Sequence, residues 1–294
     1  MPNHAQLMET VSDYIIPQSK EGMQVSEAEY WKNYYEHPDF NYEWNNGILE
    51  EVPMADLINY RMYQWFIKLL IDFLEIHPIA TTVGLEMGFR LALTDETKIR
   101  KPDLGVVLHT NPVPIKPTDR TYDGVFDMCI ESVSDSTRKE KERDTVAKYA
   151  EYAEVGVKEY FVLYASGEEI AFYRFNDTLR VYEEINPIDG IIRSEVLPGF
   201  QFQLDDLFRQ PTYNQMSDDP VYQGFIGLKY QQAQVKVEQI QAETEQAQAK
   251  AVQEQQRAEQ AQAKVEQEKA KNDRLTAYLR QIGIDPESIP DDIE

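Results

Sequence analysis

One stretch restricts the possible folds more than any other. An apolar run from Val125 to Val133 is followed by a charged segment reaching about Ala153. A second run, Glu159-Tyr160-Phe161-Val162-Leu163-Tyr164, comes after it. A strand, a helix and a second strand in this order are joined by a crossover, which lays the two strands parallel in one sheet. The same region carries two carboxylates where apolar strands should have none. Asp103 opens the run Leu104-Gly105-Val106-Val107-Leu108, and Glu131 interrupts Met128-Cys129-Ile130. An ionised group inside a strand is costly unless a cation or hydrogen bonds meet it.

Two arrangements accommodate these acids. Each can point to solvent from an edge strand, or the two can face one another across adjacent strands. In the second case they supply the hard oxygens that Mg²⁺ prefers, with the backbone carbonyl of Ser132 and waters completing the shell. Such an ion polarises a phosphoryl oxygen and lowers the pKa of a bound water. An ammonium nearby stabilises the developing charge. Lys148 is the best placed, because its helix directly follows the Glu131 strand. Lys139, Lys141 and Arg143 read as a solvated charged face.

The remaining elements follow from local signals. Ser26 and Glu29 form a capping box that predicts a helix from Glu27 to about Glu36. Asn46-Gly47 is a hairpin turn between two short strands, with Glu43 just before it. Asp56 caps a helix to about Glu75, whose apolar residues recur every three or four positions. Ala80 to Leu93 alternates as one strand, and Thr94–Thr97 is a turn. Pro112, Pro114 and Pro117 make Asn111–Asp123 a loop. Ser134-Asp135-Ser136-Thr137 caps the crossover helix, on which Asp144, Lys148 and Tyr152 share a face. Glu169–Phe175 and Leu179–Ile185 form an antiparallel pair.

Composition sets the outer bounds. A formal net charge of −23 over 294 residues argues against a nonspecific nucleic-acid coat, though not against a local basic cleft. A lone cysteine, Cys129, excludes an intrachain disulfide and reads as a small buried hydrophobe. No run reaches the length of a membrane span and the first residues lack a signal-peptide pattern, so a cytoplasmic protein is expected. The organisation reads as a lead over 1–24, a globular domain over 25–210, a linker over 211–229, a heptad-rich helix over 230–282 and a tail over 283–294. In the heptad region Gln-Ala-Gln-[Val/Ala]-Lys begins at Gln232, Gln246 and Gln260. A 3/4 track from Tyr230 to Ile282 is mostly apolar, with Glu254 and Glu268 as flaws; it fits either a coiled-coil seam, and with it a homo-oligomer, most simply a homodimer, or a lone solvated helix.

These residues carry a family resemblance. Arg100-x-Pro102-Asp103, then Ile130-Glu131-Ser132-Val133-Ser134-x-Ser136-Thr137, then Asp144-x-x-x-Lys148-x-x-x-Tyr152-x-x-x-Gly156-Val157-x-Glu159-Tyr160 resembles the Uma2 family. That is a bacterial group of restriction-endonuclease-like proteins within the PD-(D/E)xK nuclease superfamily. Tyr42-Glu43-x-x-x-Gly47-x-Leu49 resembles its early hairpin, and Leu197-Pro198-Gly199-Phe200 with Leu204-x-x-Leu207-Phe208 its closing segment. The likeness covers roughly residues 25 to 210. It implies an α/β (α+β) fold, a restriction-endonuclease-like mixed sheet flanked by helices. It also implies a Mg²⁺ (or Mn²⁺) site of Asp103 and Glu131, which Glu43 joins. In the superfamily the lysine stands two places after the second acid; here that place is Val133, and the lysine has moved to Lys148. The helix after the hairpin usually opens with a histidine, and Asn59 stands near that place. The implied activity is metal-dependent DNA cleavage through Asp103, Glu131, Lys148 and Glu43. The alternative is a non-catalytic adaptor that keeps the fold and assembles through its heptad tail.

Overall fold

The computed structural model describes residues 17–52, 56–84, 87–133, 141–167, 169–283 and 285. The expected cap at Ser134–Thr137 lies outside them, as do Leu85, Glu86, most of the lead and most of the tail. The chain divides into two units, one ending at Tyr230 and one beginning at Gln231.

The first unit is built on two main sheets. A four-stranded antiparallel sheet has the order β2-β1-β5-β4, from β1 (Tyr42–Asn45), β2 (Ile48–Glu51), β4 (Phe89–Ala92) and β5 (Thr97–Arg100). A six-stranded mixed sheet has the order β10-β9-β8-β7-β6-β3. Its strands are β3 (Ala80–Val83), β6 (Leu104–Leu108), β7 (Met128–Ser132), β8 (Glu159–Leu163), β9 (Ala171–Asn176) and β10 (Val181–Glu184). β7 and β8 pair in parallel, as the strand–helix–strand run requires, and the other pairs of this sheet are antiparallel. A small ribbon of β11 (Ile191–Arg193) and β12 (Gln201–Gln203) completes the strands.

Helix α1 (Glu27–Asn33) starts at the Ser26/Glu29 capping box. The turn between β1 and β2 puts both Asn46 and Gly47 at positive φ, 43° and 101°. That is the mirror-image turn whose twist matches a hairpin. Helix α2 (Leu57–Ile76) is capped by Asp56, whose carboxylate accepts from the amides of Ile58 and Asn59. Its Phe66, Leu70 and Phe73 are fully buried against Phe161, Phe200 and Phe202 on one face of the large sheet. Each such side chain contributes roughly 1.5–3 kcal/mol by leaving water. The other face is covered by α3 (Lys148–Val155), entered through a π-helical turn over Arg143–Ala147 and stopped by Gly156 at φ 85°. Cys129 is buried on this face beside Val133, Tyr152 and Tyr160, and burial pushes its thiol well up, which makes it inert.

Two expectations need correction. The run Ala80–Leu93 is not one strand: β3 belongs to the large sheet and β4 to the small one. Alternation alone cannot distinguish one strand from two that serve different sheets. The stretch 211–229 is no linker. It holds a short helix, Tyr213–Met216, and a π-helical turn, Gln223–Gly227. Met216, Val221, Tyr222, Phe225 and Ile226 are buried in the α2-side core. Its prolines and polar residues suggested a break, but its aromatics close the bottom of that core. Among the described residues, no helix is long and apolar enough to cross a membrane. The second unit continues the single helix Leu228–Gln281.

Candidate active site

The register of the large sheet brings the two anomalous acids together. Leu104 pairs with Ile130 and Gly105 with Cys129 across β6 and β7. One step further along the same ladder sets Asp103 opposite Glu131, on the face covered by α3. Residues directly opposite in an antiparallel pair share a face, with Cβ atoms about 4.5–5.5 Å apart. The solvent-facing alternative therefore fails for Glu131, which is 3 % exposed, and Asp103 is half-buried beside it.

Helix α3 supplies the cation. Lys148 is 1 % exposed, and its Nζ lies 3.0 Å from Glu131 Oε1, 3.1 Å from Asp144 Oδ1 and 3.3 Å from Glu43 Oε1. Three carboxylates therefore surround this one ammonium at ion-pair distance. Burial opposes the charge, but Asp144, Glu131 and Glu43 outweigh it and hold Lys148 protonated well above the usual lysine range. The spacing Asp144, Lys148, Tyr152 does what the sequence predicts, since the Tyr152 hydroxyl donates to Glu131 Oε1 at 2.9 Å.

The small sheet contributes a second cation. Glu43 and Glu50 are directly opposite in β1 and β2, a like-charge pair that would repel. Arg100, fully buried at the end of β5, resolves it. Its Nη1 donates to Glu43 Oε2 at 2.9 Å and to Glu50 Oε2 at 2.6 Å. Its Nε and Nη2 donate to the two oxygens of Glu151, at 2.7 and 2.9 Å. Glu43 also accepts from the Lys101 amide at 2.9 Å. Both Glu43 oxygens are therefore engaged, and it helps hold Lys148 and Arg100 in place. Burial works against its charge, yet Lys148, Arg100 and Arg143 bring its pKa down to about 2.

Arg143 is a correction. It is buried, not solvated, and donates to the carbonyl of Glu51 at 3.0 Å and to Asp144 at 3.3 Å. The hairpin carbonyl and Asp144 give it the partners that solvent was expected to provide. Lys141 pairs with Glu169, and Lys139 lies outside the described residues. Asn59, in the place of the expected histidine, joins two elements: its Nδ2 donates to Asp56, and its Oδ1 accepts from the Ala165 amide beyond β8.

Among the described residues, charge does not balance here. Glu43, Glu50, Asp103, Glu131, Asp144 and Glu151 meet three buried cations, Arg100, Arg143 and Lys148. Lys98 also pairs with Glu151 but brings Glu96 with it. The surplus falls on Asp103 and Glu131. Burial raises Asp103 to about 6, although Lys148 and the Ser132 amide pull the other way. Burial likewise raises Glu131 well above its ordinary value, with Asp103, Asp144 and Glu43 adding to the rise against Lys148.

The donor set suits a hydrated divalent ion. Asp103 Oδ2 accepts from the Ser132 amide at 2.6 Å, and Glu131 Oε1 faces Lys148 and Tyr152. The other oxygen of each carboxylate has no hydrogen-bond partner among the described residues. Among those residues, no three acids, histidines or cysteines form a metal cage. Two carboxylates suffice for Mg²⁺, which keeps most of its waters. Ser132, expected to offer its carbonyl, is seen to offer its amide to Asp103, and its buried Oγ has no partner among the described residues.

A stability prediction follows from Asp103. Its folded pKa of about 6 exceeds the ordinary 3.8, so the folded protein holds that proton more tightly than the unfolded chain. The stability gained is complete below about pH 4 and lost as pH rises through 6. In EDTA at pH 8, Asp103→Asn should therefore raise stability by about 1–3 kcal/mol, and the gain should shrink at pH 5. Thermal melts at the two pH values check this; a variant less stable at pH 8 would show the charge to be structurally needed.

The family profile described as "Uma2: Putative restriction endonuclease" matches residues 27–205. The search of solved structures finds the crystal structure of a "putative nuclease belonging to DUF820" from Anabaena variabilis. It is 15 % identical, with a TM-score of 0.49 over 63 % of this chain and 98 % of that one. No curated protein matches the sequence.

Proposed function

The chain belongs to the Uma2 family, and from that premise we propose that it is a metal-dependent endonuclease hydrolysing DNA phosphodiester bonds at Asp103 and Glu131. The observation that carries this reading is the pairing of Asp103 and Glu131 on one face of the sheet, each with an oxygen that has no hydrogen-bond partner among the described residues. Asp103 and Glu131 would hold Mg²⁺ or Mn²⁺, with the Ser132 carbonyl as a third donor. The ion supplies Lewis acidity toward a phosphoryl oxygen and a more acidic bound water.

The chain's own residues do the rest. Lys148 fixes Glu131 and works against the burial that disfavours its charge, and it offsets part of the charge of an incoming phosphate. Tyr152 fixes the same oxygen of Glu131. Asp144 and Glu43 also stand at ion-pair distance from Lys148, which acts as a charged positioning residue. Arg100 and Arg143 anchor that ring of acids to the small sheet.

The test is cleavage of supercoiled plasmid with Mg²⁺, Mn²⁺ or EDTA. Cleavage by the native protein with either ion and none in EDTA is expected. A second reading, the non-catalytic adaptor, is favoured by one observation: the charge of Lys148 is already met by three carboxylates of the protein itself. Calorimetry separates them, because an adaptor site with no use for an ion would give no heat with millimolar Mg²⁺ or Mn²⁺.

A further inference from the structure

The helix Leu228–Gln281 runs for 54 residues without a buried side chain. Val237, Ile240, Val265 and Leu275 are each more than half exposed along it. Exposure alone does not identify what covers them; the sequence period does. With Tyr230 at position a, the core positions of successive heptads are Tyr230, Ala233, Val237, Ile240, Thr244, Ala247, Ala251, Glu254, Ala258, Ala261, Val265, Glu268, Asn272, Leu275, Leu279 and Ile282. A straight α-helix drifts about 20° per heptad against a seven-residue repeat. Over this length the drift exceeds about 140°, so the track would wander off one face of a lone helix. A chain keeps a strict heptad along seven turns of the repeat when the helix supercoils around a partner with the same period.

Charge and one polar residue then select the partner and its direction. From Lys236 to Lys271 the g positions are Lys236, Glu243, Lys250, Arg257, Lys264 and Lys271, basic except for Glu243. The e positions are Gln241, Gln248, Gln255, Gln262, Lys269 and Thr276, mostly neutral. In a parallel pair g faces e of the other copy, so five of six cationic or acidic g residues meet a neutral side chain. In an antiparallel pair g faces g, and the lysines oppose one another. Asn272 falls at an a position, where asparagine meets asparagine of an in-register parallel copy and fixes register. The two glutamates in the seam are bracketed on their own helix. Lys250 and Arg257 stand four before and three after Glu254, and Lys264 and Lys271 stand likewise around Glu268.

We propose that residues 230–282 bind a second copy of this chain as a parallel, in-register two-stranded coiled coil. This rests on the helix alone and not on the nuclease reading. Parallel pairing sets each residue beside its own counterpart along the whole seam. An antiparallel pair allows that at one point only.

The experiment uses the full chain. Its only cysteine, Cys129, is buried in the globular unit and does not compete for oxidation. Val237→Cys and Leu275→Cys are made separately and oxidised under mild conditions, with Val252→Cys, outside the seam, as control. Light scattering should give twice the chain mass of 34.2 kDa for the native protein. Both seam variants should cross-link to a covalent dimer nearly to completion, and the control at least several-fold more slowly. A monomer at tens of micromolar overturns the proposal. So does a dimer in which neither seam variant cross-links, which would be antiparallel or joined elsewhere, or only one, which would not pair in register along the whole seam.

Discussion

Replacing Arg100 by methionine is expected to cost the globular unit at least about 3–5 kcal/mol, the scale on which breaking a buried ion pair is felt. The guanidinium is fully buried and satisfies Glu43, Glu50 and both oxygens of Glu151. Methionine fills much the same volume but leaves Glu43 and Glu50 facing each other across the hairpin. The loss is a large part of the 5–15 kcal/mol that holds a typical domain together, and roughly a 10–20 °C fall in melting temperature should accompany it. Lysine should rescue little, since it cannot offer a planar fork to Glu151. Adding Glu151→Met and Glu50→Met to Arg100→Met should recover part of the loss, because the stranded acids leave with their partner. Urea unfolding of the three proteins decides it; an Arg100→Met protein melting within two or three degrees of the native one would mean that solvent reaches these acids.

Glu131→Gln should abolish cleavage while leaving the fold in place. The amide retains an oxygen able to accept from Tyr152 and Lys148, so the contacts at 2.9 and 3.0 Å survive in kind. What disappears is one of the two charges available to a divalent ion. A loss of about 100-fold or more in rate is expected, the scale of removing one electrostatic contribution to a hydrolytic transition state. Because burial already raises the pKa of Glu131, removing its charge should not lower thermal stability in EDTA. Plasmid cleavage and melting are measured on the same preparation. Cleavage at the native rate by a well-folded Glu131→Gln protein would refute the assignment of this site.

Much of this arrangement was legible in the sequence because it is written locally or by period. The Ser26/Glu29 box, the Asn46-Gly47 turn and the cap at Asp56 each act within a few residues and appear where expected. The crossover fixed the parallel pairing of β7 and β8, and the four-residue spacing of Asp144, Lys148 and Tyr152 fixed their common face. The misreadings concern pairings between distant segments. Arg143 looks like one member of a charged run until the β2 carbonyl of Glu51 arrives beside it. The role of Arg100 depends on Glu43 and Glu50 facing each other and on Glu151 projecting from a helix some fifty residues later. Residues 211–229 carry polar punctuation, but Tyr222, Phe225 and Ile226 respond to a core assembled by α2 and β12. No local signal encodes that.

The acids and bases of the centre come from positions 43 to 151 and from two different sheets. During synthesis the hairpin at residues 42–51 leaves the ribosome about fifty residues before Arg100 and about a hundred before Lys148, the two cations that meet its acids. Contacts so far apart in sequence form late and together. A partly synthesised chain therefore holds unpaired acids in place of a working centre, and any DNA-cutting competence arises only once residues through Glu151 have emerged and docked. Completion of the domain is thus the condition for assembling this centre.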